Sequence, residues 1–308
     1  MFKGRSLQKA GLVAFLALGS FTQHASLRER VLPEPPAHSQ PAQAVPPESG
    51  KRPHPCVKKT IPGGLPAQSY ILLQLHKSPL TGRHTPETAL SQVFIYHAIK
   101  DLIRKHGISV VFTEGSPVDL DLRQTEVALV RREIEAAFSK CIITFSGSGS
   151  AEDYCLGRLL WVDNVHHMLL IYANPSVEFK GYEKDIEEVR RVISIMKQME
   201  GVLEKGKEAF KAPETQKFAG EYLETIRRSN ARREHDAIQA ALSQPSRNSA
   251  VVMGSKHEEG LIRAAEEVPF EQRPTFHFIP SSCQQEPGFF VSPEVIKAAV
   301  DSTEHLGK

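Results

Sequence analysis

The sequence lacks an unbroken apolar run of about 20 residues, the length that a conventional membrane-spanning helix needs. It also lacks an excess of one sign of charge. Lys and Arg number 38, Asp and Glu 36, and the net charge is +2. The two signs are interspersed, so no nucleic-acid footprint stands out. Cysteine is scarce: Cys56, Cys141, Cys155 and Cys283 have no CxxC spacing, so they do not suggest a zinc site. Four in 308 residues do not make a disulfide-dense scaffold. An even number permits two disulfides with three connectivities. Scattered buried thiols are as good a reading as a single disulfide. No repeat recurs at a solenoid period.

What is present begins with a leader pattern. Lys3, Arg5 and Lys9 precede the apolar stretch Ala10 to Gly19, and no acid appears before Glu29. Basic, then apolar, then small is the order of a secretory signal, residues 1–25, with cleavage after Gly19 or Ala25. An organelle transit peptide and an uncleaved anchor are the rival readings. No cysteine follows the apolar run closely, which argues against a lipoprotein. Residues 26–66 then read as a disordered linker. Eight prolines from Pro33 to Pro55 punctuate a stretch with few large apolar residues. Such a stretch cannot bury enough surface to offset its ordering entropy.

Residues 67–308 read as an α/β domain: a central, mainly parallel sheet flanked by helices. Apolar strands are expected at Tyr70–Leu75, Ser109–Thr113, Met168–Tyr172, Ala250–Met253 and Thr275–Ile279, with a short one at Cys141–Phe145. A helix over Glu87–His106 has Thr85 as cap, Pro86 in its first turn and Gly107 as its stop. Strand, helix, strand in that order argues for a parallel pair with a right-handed crossover. A second helix is expected from Leu120 to Lys140. Residues 183–243 read as an inserted long helical hairpin, broken at Pro213, which serves as a lid or a homo-oligomer contact.

The chemistry-bearing residues stand at strand ends. His76 follows the first strand, Glu114-Gly115 the second, and Gly254-Ser255-Lys256-His257 the strand at Ala250–Met253. Parallel strands bring their carboxyl ends to one crevice, where ligands bind. Two imidazoles and a carboxylate there suit a metal site or an acid/base constellation. A buried Glu114 needs a cation, a metal or an arginine as partner. Lys256 suits an anionic substrate. His166-His167 reads as a loop pair, since neighbours on a strand face opposite ways and cannot chelate one ion.

These segments, from about Tyr70 to Pro280, resemble the TraB/Tiki/ChaN-like superfamily, which includes erythromycin esterases. The resemblance rests on Ile71-Leu72-Leu73-Gln74-Leu75-His76, Val111-Phe112-Thr113-Glu114-Gly115, and Val251 through Gly260-Leu261. Leu73 stands where the family's first Gly-x-x-His motif has glycine. The resemblance implies a hydrolase of peptide or ester bonds with His76, Glu114 and His257 as catalytic residues. In one version they hold a divalent metal. In the other, a histidine or Glu114 is general base without one. It implies an arginine, Arg232 or Arg233, near the acid, and a polar Gln92 after the first motif. The alternative it implies is a non-catalytic protein that binds haem, iron or a partner, with His76, His84 or Tyr96 as ligands. Neither the substrate nor a partner is legible.

Overall fold

The computed structural model describes residues 54, 56–76, 83–118, 127–145, 151–160, 165–204, 212–285 and 291–303. The expected signal, most of the proline-rich stretch, and the loop at 146–150 lie outside them. All described residues belong to one compact unit that starts at Arg52.

In chain order the elements are β1 (Lys59–Ile61), β2 (Gln68–Gln74), α1 (Pro86–His106), β3 (Val110–Pro117), α2 (Val127–Thr144), α3 (Ala151–Leu159), α4 (Val165–Ala173) and β4 (Glu178–Glu183). Then come α5 (Ile186–Glu204), α6 (Pro213–Leu242), β5 (Ser249–Gly254), α7 (Glu258–Glu267), β6 (Thr275–Ile279) and α8 (Pro293–Thr303). The six strands form one sheet in the order β1-β6-β2-β5-β3-β4. Only β1 runs antiparallel to its neighbour. The α/β class and mainly parallel sheet are therefore as the strand–helix order predicts.

The two middle strands carry unbroken apolar runs in their centres because both faces are covered. β2 carries Tyr70, Ile71, Leu72 and Leu73, all fully buried. β5 carries Ala250 to Met253, equally buried. Continuous apolar runs of this kind mark interior parallel strands. Alternation sorts their side chains. Ile71, Leu73, Val251 and Met253 pack with Ala237, Ile238 and Ala241 of α6 and with Leu261 and Ala265 of α7. Tyr70 points the other way, and its hydroxyl meets Nδ1 of His106 at the end of α1 at 2.9 Å. So α1 covers one face, and α6 and α7 cover the other. The start and stop of α1 follow the sequence. Thr85 and Thr88 form a reciprocal cap, and Gly107 closes the helix at φ 64, a left-handed value suited to glycine.

Three expectations are corrected. Met168–Tyr172 is no strand: with His166 and His167 it forms α4. A short apolar run fits a buried helix as well as a buried strand, and periodicity does not separate them. The strand is β4, whose Glu-Phe-Lys-Gly-Tyr-Glu sequence conceals it. Cys141 to Thr144 likewise finish α2 rather than forming a strand, and Cys141 is bonded to Cys155 of α3. The folded unit also begins before residue 67. β1 lies inside the stretch read as linker, and Cys56 is bonded to Cys283. A three-residue edge strand needs only backbone pairing with β6, and of its side chains only Ile61 is buried. All four cysteines are thus paired, in one of the three two-disulfide connectivities that the even count permits, and the reading as scattered thiols is set aside.

Arg232 of α6 reaches Asp185, just before α5, and Glu188 of α5, at 2.8 and 2.6 Å. No described helix is long and apolar enough to cross a membrane.

Candidate functional site

β2 and β5 lie side by side and parallel, yet β2 leads into α1 on one face and β5 into α7 on the other. Their chains diverge at the carboxyl ends. In an open α/β sheet this reversal opens the crevice where ligands bind. Glu114 reaches it from β3, the strand on the far side of β5. The pairing of β3 with β4 slips between Thr113 and Pro117, and Gly115 takes φ 81. A bulge with a left-handed glycine turns the strand and re-aims the side chain beside it. That is the local reason for a Glu-Gly pair here.

Glu114 is the hub. Its Oε2 accepts the Gly254 N–H at 2.6 Å and lies 2.9 Å from Nε2 of His76. Its Oε1 is paired with the guanidinium of Arg233, and Nε2 of His257 is 3.9 Å away. Arg233 also reaches Oε1 of Glu183 through Nε and Nη2, each at 2.8 Å. Nδ1 of His257 lies 3.0 Å from Oε1 of Glu234. Close approach at Gly254 matters too, since a Cβ there would come within 3.0 Å of His76 Nε2.

Burial raises the Glu114 pKa, but His76, Arg233 and His257 together hold it well below the usual carboxylate range. A carboxylate so stabilised is a weak base and a strong anchor. Burial pulls the Arg233 pKa down, but Glu114 and Glu183 hold it above its ordinary value. For Glu183 burial prevails over Arg233 and the pKa is raised. His76 is the accessible member, with 46% of its side chain exposed against 6% for His257.

No family model, curated protein or solved structure matches this chain significantly.

His76, Glu114 and His257 come together as the strand-end placement predicts. Of the two arginines, Arg233 faces Glu114. Arg232, the adjacent residue, turns to Asp185 and Glu188. Gln92 is buried and donates to the Leu75 carbonyl at 2.8 Å, while Ser91 accepts the Leu75 N–H at 2.9 Å. The two α1 residues clamp the backbone just before His76, so Gln92 braces the strand exit. Lys256 is exposed on the 3-10 turn Ser255–His257. His84 sits apart: Nδ1 lies 3.0 Å from the Thr88 hydroxyl and Nε2 3.2 Å from the Leu160 carbonyl. The Tyr96 hydroxyl donates to Glu152 at 2.6 Å. His166 and His167 are buried on a helix rather than in a loop.

The donor set fits a metal poorly. Among the described residues no three His, Cys, Asp or Glu side chains gather so as to hold an ion. Both Glu114 oxygens already have partners, one of them a guanidinium. Sequence reasoning missed Glu183 and Glu234. Glu183 ends a strand with no strand-like pattern, and Glu234 is one charge among many on α6. Adjacency to Arg233 was the only available signal for Glu234.

Proposed function

We propose that this crevice hydrolyses ester or peptide bonds, with His76 as general base, in a fold of the TraB/Tiki/ChaN kind. The observation that carries the reading is Glu114 held between His76, the Gly254 amide and Arg233 at the sheet's switch point. A carboxylate only accepts, so Nε2 of His76 donates its proton to Glu114. The lone pair is then on Nδ1 of an exposed ring. Nδ1 takes a proton from water as the oxygen attacks the carbonyl carbon, and the Glu114 charge stabilises the imidazolium that forms. The same proton passes to the departing alkoxide or amine when the carbon–oxygen or carbon–nitrogen bond breaks, which restores the neutral ring. Arg233 keeps Glu114 ionised throughout.

The two disulfides favour an oxidising compartment, which agrees with an export signal. The pair α5–α6 reads as an insertion beside the crevice, since α6 supplies Arg233 while its neighbour Arg232 ties the helix to α5. The metal-dependent version is the weaker one, because the Glu114 oxygens are engaged. The haem-binding alternative is weakened by the engagement of His84 and Tyr96.

The test is a panel of chromogenic esters and peptides offered to the purified protein, to His76→Ala and to Glu114→Gln, each assayed also for bound metal. The expected result is a metal-independent activity that either substitution lowers by about 10²–10⁴-fold. Turnover that survives both substitutions overturns the assignment. Stoichiometric metal lost in Glu114→Gln restores the metal version.

A further inference from the structure

Arg233 and Glu234 are consecutive on α6, yet each grips a different member of the constellation. Arg233 takes Glu114 and Glu234 takes His257. The His257 ring is almost wholly buried, with Oε1 of Glu234 3.0 Å from Nδ1. Its other nitrogen, Nε2, is 3.9 Å from Glu114, beyond hydrogen-bond range. A carboxylate oxygen accepts only, which settles the direction of the bond: Nδ1–H donates to Glu234. In the neutral ring the lone pair is then on Nε2, facing the Glu114 side of the crevice.

A second feature converges on the same contact. Gly260 lies three residues after His257, in the first turn of α7. A Cβ built on Gly260 would overlap the carboxylate of Glu234, with both oxygens and the carboxyl carbon inside the closest approach real atoms show. Gly260 has an ordinary backbone conformation, so what a side chain there would disturb is the placing of the Glu234 head group and not φ. Glycine inside a helix costs about 1 kcal/mol relative to alanine. What it admits is the Glu234 head group.

We infer that Glu234 is a positioning residue that locks the proton of His257 on Nδ1 and turns Nε2 to the reaction crevice, and that Gly260 provides the room for it. The inference rests on the hydrolase reading for its purpose but not for its geometry. Orientation of an imidazole by a carboxylate at its far nitrogen sets which nitrogen can exchange a proton with a reactant.

The experiment is nitrogen NMR of the histidine rings in the whole protein, above pH ~8, beyond the ordinary imidazole range. His257→Gln identifies the His257 signals. The native chain should show a protonated Nδ1 at His257. Glu234→Ala should shift that proton to Nε2, and Gly260→Ala should act in the same direction without touching Glu234. The double substitution should go no further than Glu234→Ala alone, because alanine at 260 acts only through the glutamate. The ring signals of His106 and His277, on the opposite face of the sheet, report that each variant is folded. A His257 Nδ1 that keeps its proton in folded Glu234→Ala overturns the inference. Should Glu234→Ala not fold, a native His257 signal in Gly260→Ala does so. Failure here leaves ester and peptide hydrolysis by His76 and Glu114 standing, and absence of hydrolysis leaves this result readable.

Discussion

Two groups of imidazoles sit on this sheet in different surroundings. At the carboxyl ends of the strands, His76 and His257 each face a carboxylate, Glu114 and Glu234. On the α1 face, His277 stacks on Tyr70 at 4.8 Å between ring centres. His106 lies against Tyr70 at 5.2 Å, and His54 is 6.4 Å from His106. Two of these rings meet hydroxyls: Nδ1 of His277 is 3.2 Å from the Thr60 hydroxyl, and Nδ1 of His106 meets the Tyr70 hydroxyl, while Nδ1 of His54 accepts the Cys56 N–H at 3.2 Å. Burial lowers the His277 pKa to about 4, with His106 adding to it. Burial, His106 and Lys105 lower that of His54 against the opposing pull of Asp101. The Tyr70 phenol is pushed up to about 12 by burial. One residue type thus faces carboxylates in one place and packs against a phenol ring and other imidazoles in the other.

The sharpest way to break the charged region is Arg233→Met. It leaves Glu114 and Glu183 facing each other without their shared cation, and uncompensated buried charge costs about 3–5 kcal/mol. The decline should appear as a lower urea midpoint at pH 7. An unchanged midpoint would mean that the guanidinium is dispensable.

Removal of the Cys56–Cys283 bridge should have the next largest effect, about 2–4 kcal/mol. That bridge fastens the segment that carries His54, so the loss should fall on the α1-side histidines and leave the Glu114 contacts in place. Hydrogen exchange in the Cys56→Ser/Cys283→Ser chain, with Cys141–Cys155 left oxidised, would report which region loosens.

Acid separates the regions by pH. Folded His54 and His277 have pKa values below the unfolded value of about 6.5. The unfolded chain therefore binds more protons below that pH, and stability is lost as pH falls from about 6.5 towards about 4. Buried His167, lowered to about 3, extends the decline. Glu114 is depressed, so its contribution is present above its unfolded pKa and is lost only on further acidification. His277→Phe keeps the stack on Tyr70 and removes one titrating group. We expect a cost of about 1 kcal/mol at pH 7 for the lost Thr60 contact. The slope of urea midpoint against pH should also be flatter. A slope identical to that of the native chain would assign the acid sensitivity elsewhere.

The smallest expected change in stability is Gly254→Ala, below about 1 kcal/mol, because the exposed His76 ring can move from the added Cβ. Hydrolysis should still fall by as much as about 10²-fold, since the ring leaves its position over Glu114. Equal turnover would show that the His76–Glu114 contact is not needed.

Much of the scaffold was legible in the sequence. β2, β3 and β5 read as apolar runs flanked by polar residues. Thr85, Pro86 and Gly107 marked both ends of α1. His76, Glu114 and His257 could be named because a strand end in a parallel sheet is a predictable place. β4 was not legible, since Lys180 and Gly181 break its pattern, while the apolar Met168–Ile171 segment belongs to a helix.

From the sequence alone follow the parallel strands β2, β3, β5 and β6 and the placing of three polar groups at strand ends, because both depend on local periodicity and strand order. Tertiary packing decided their partners. Neighbouring residues on a helix point about 100° apart. Whether Arg232 or Arg233 faced Glu114, and whether Glu234 found His257, therefore depended on the rotation of α6 against the sheet. That rotation is set by Ala237, Ile238 and Ala241 meeting the apolar faces of β2 and β5.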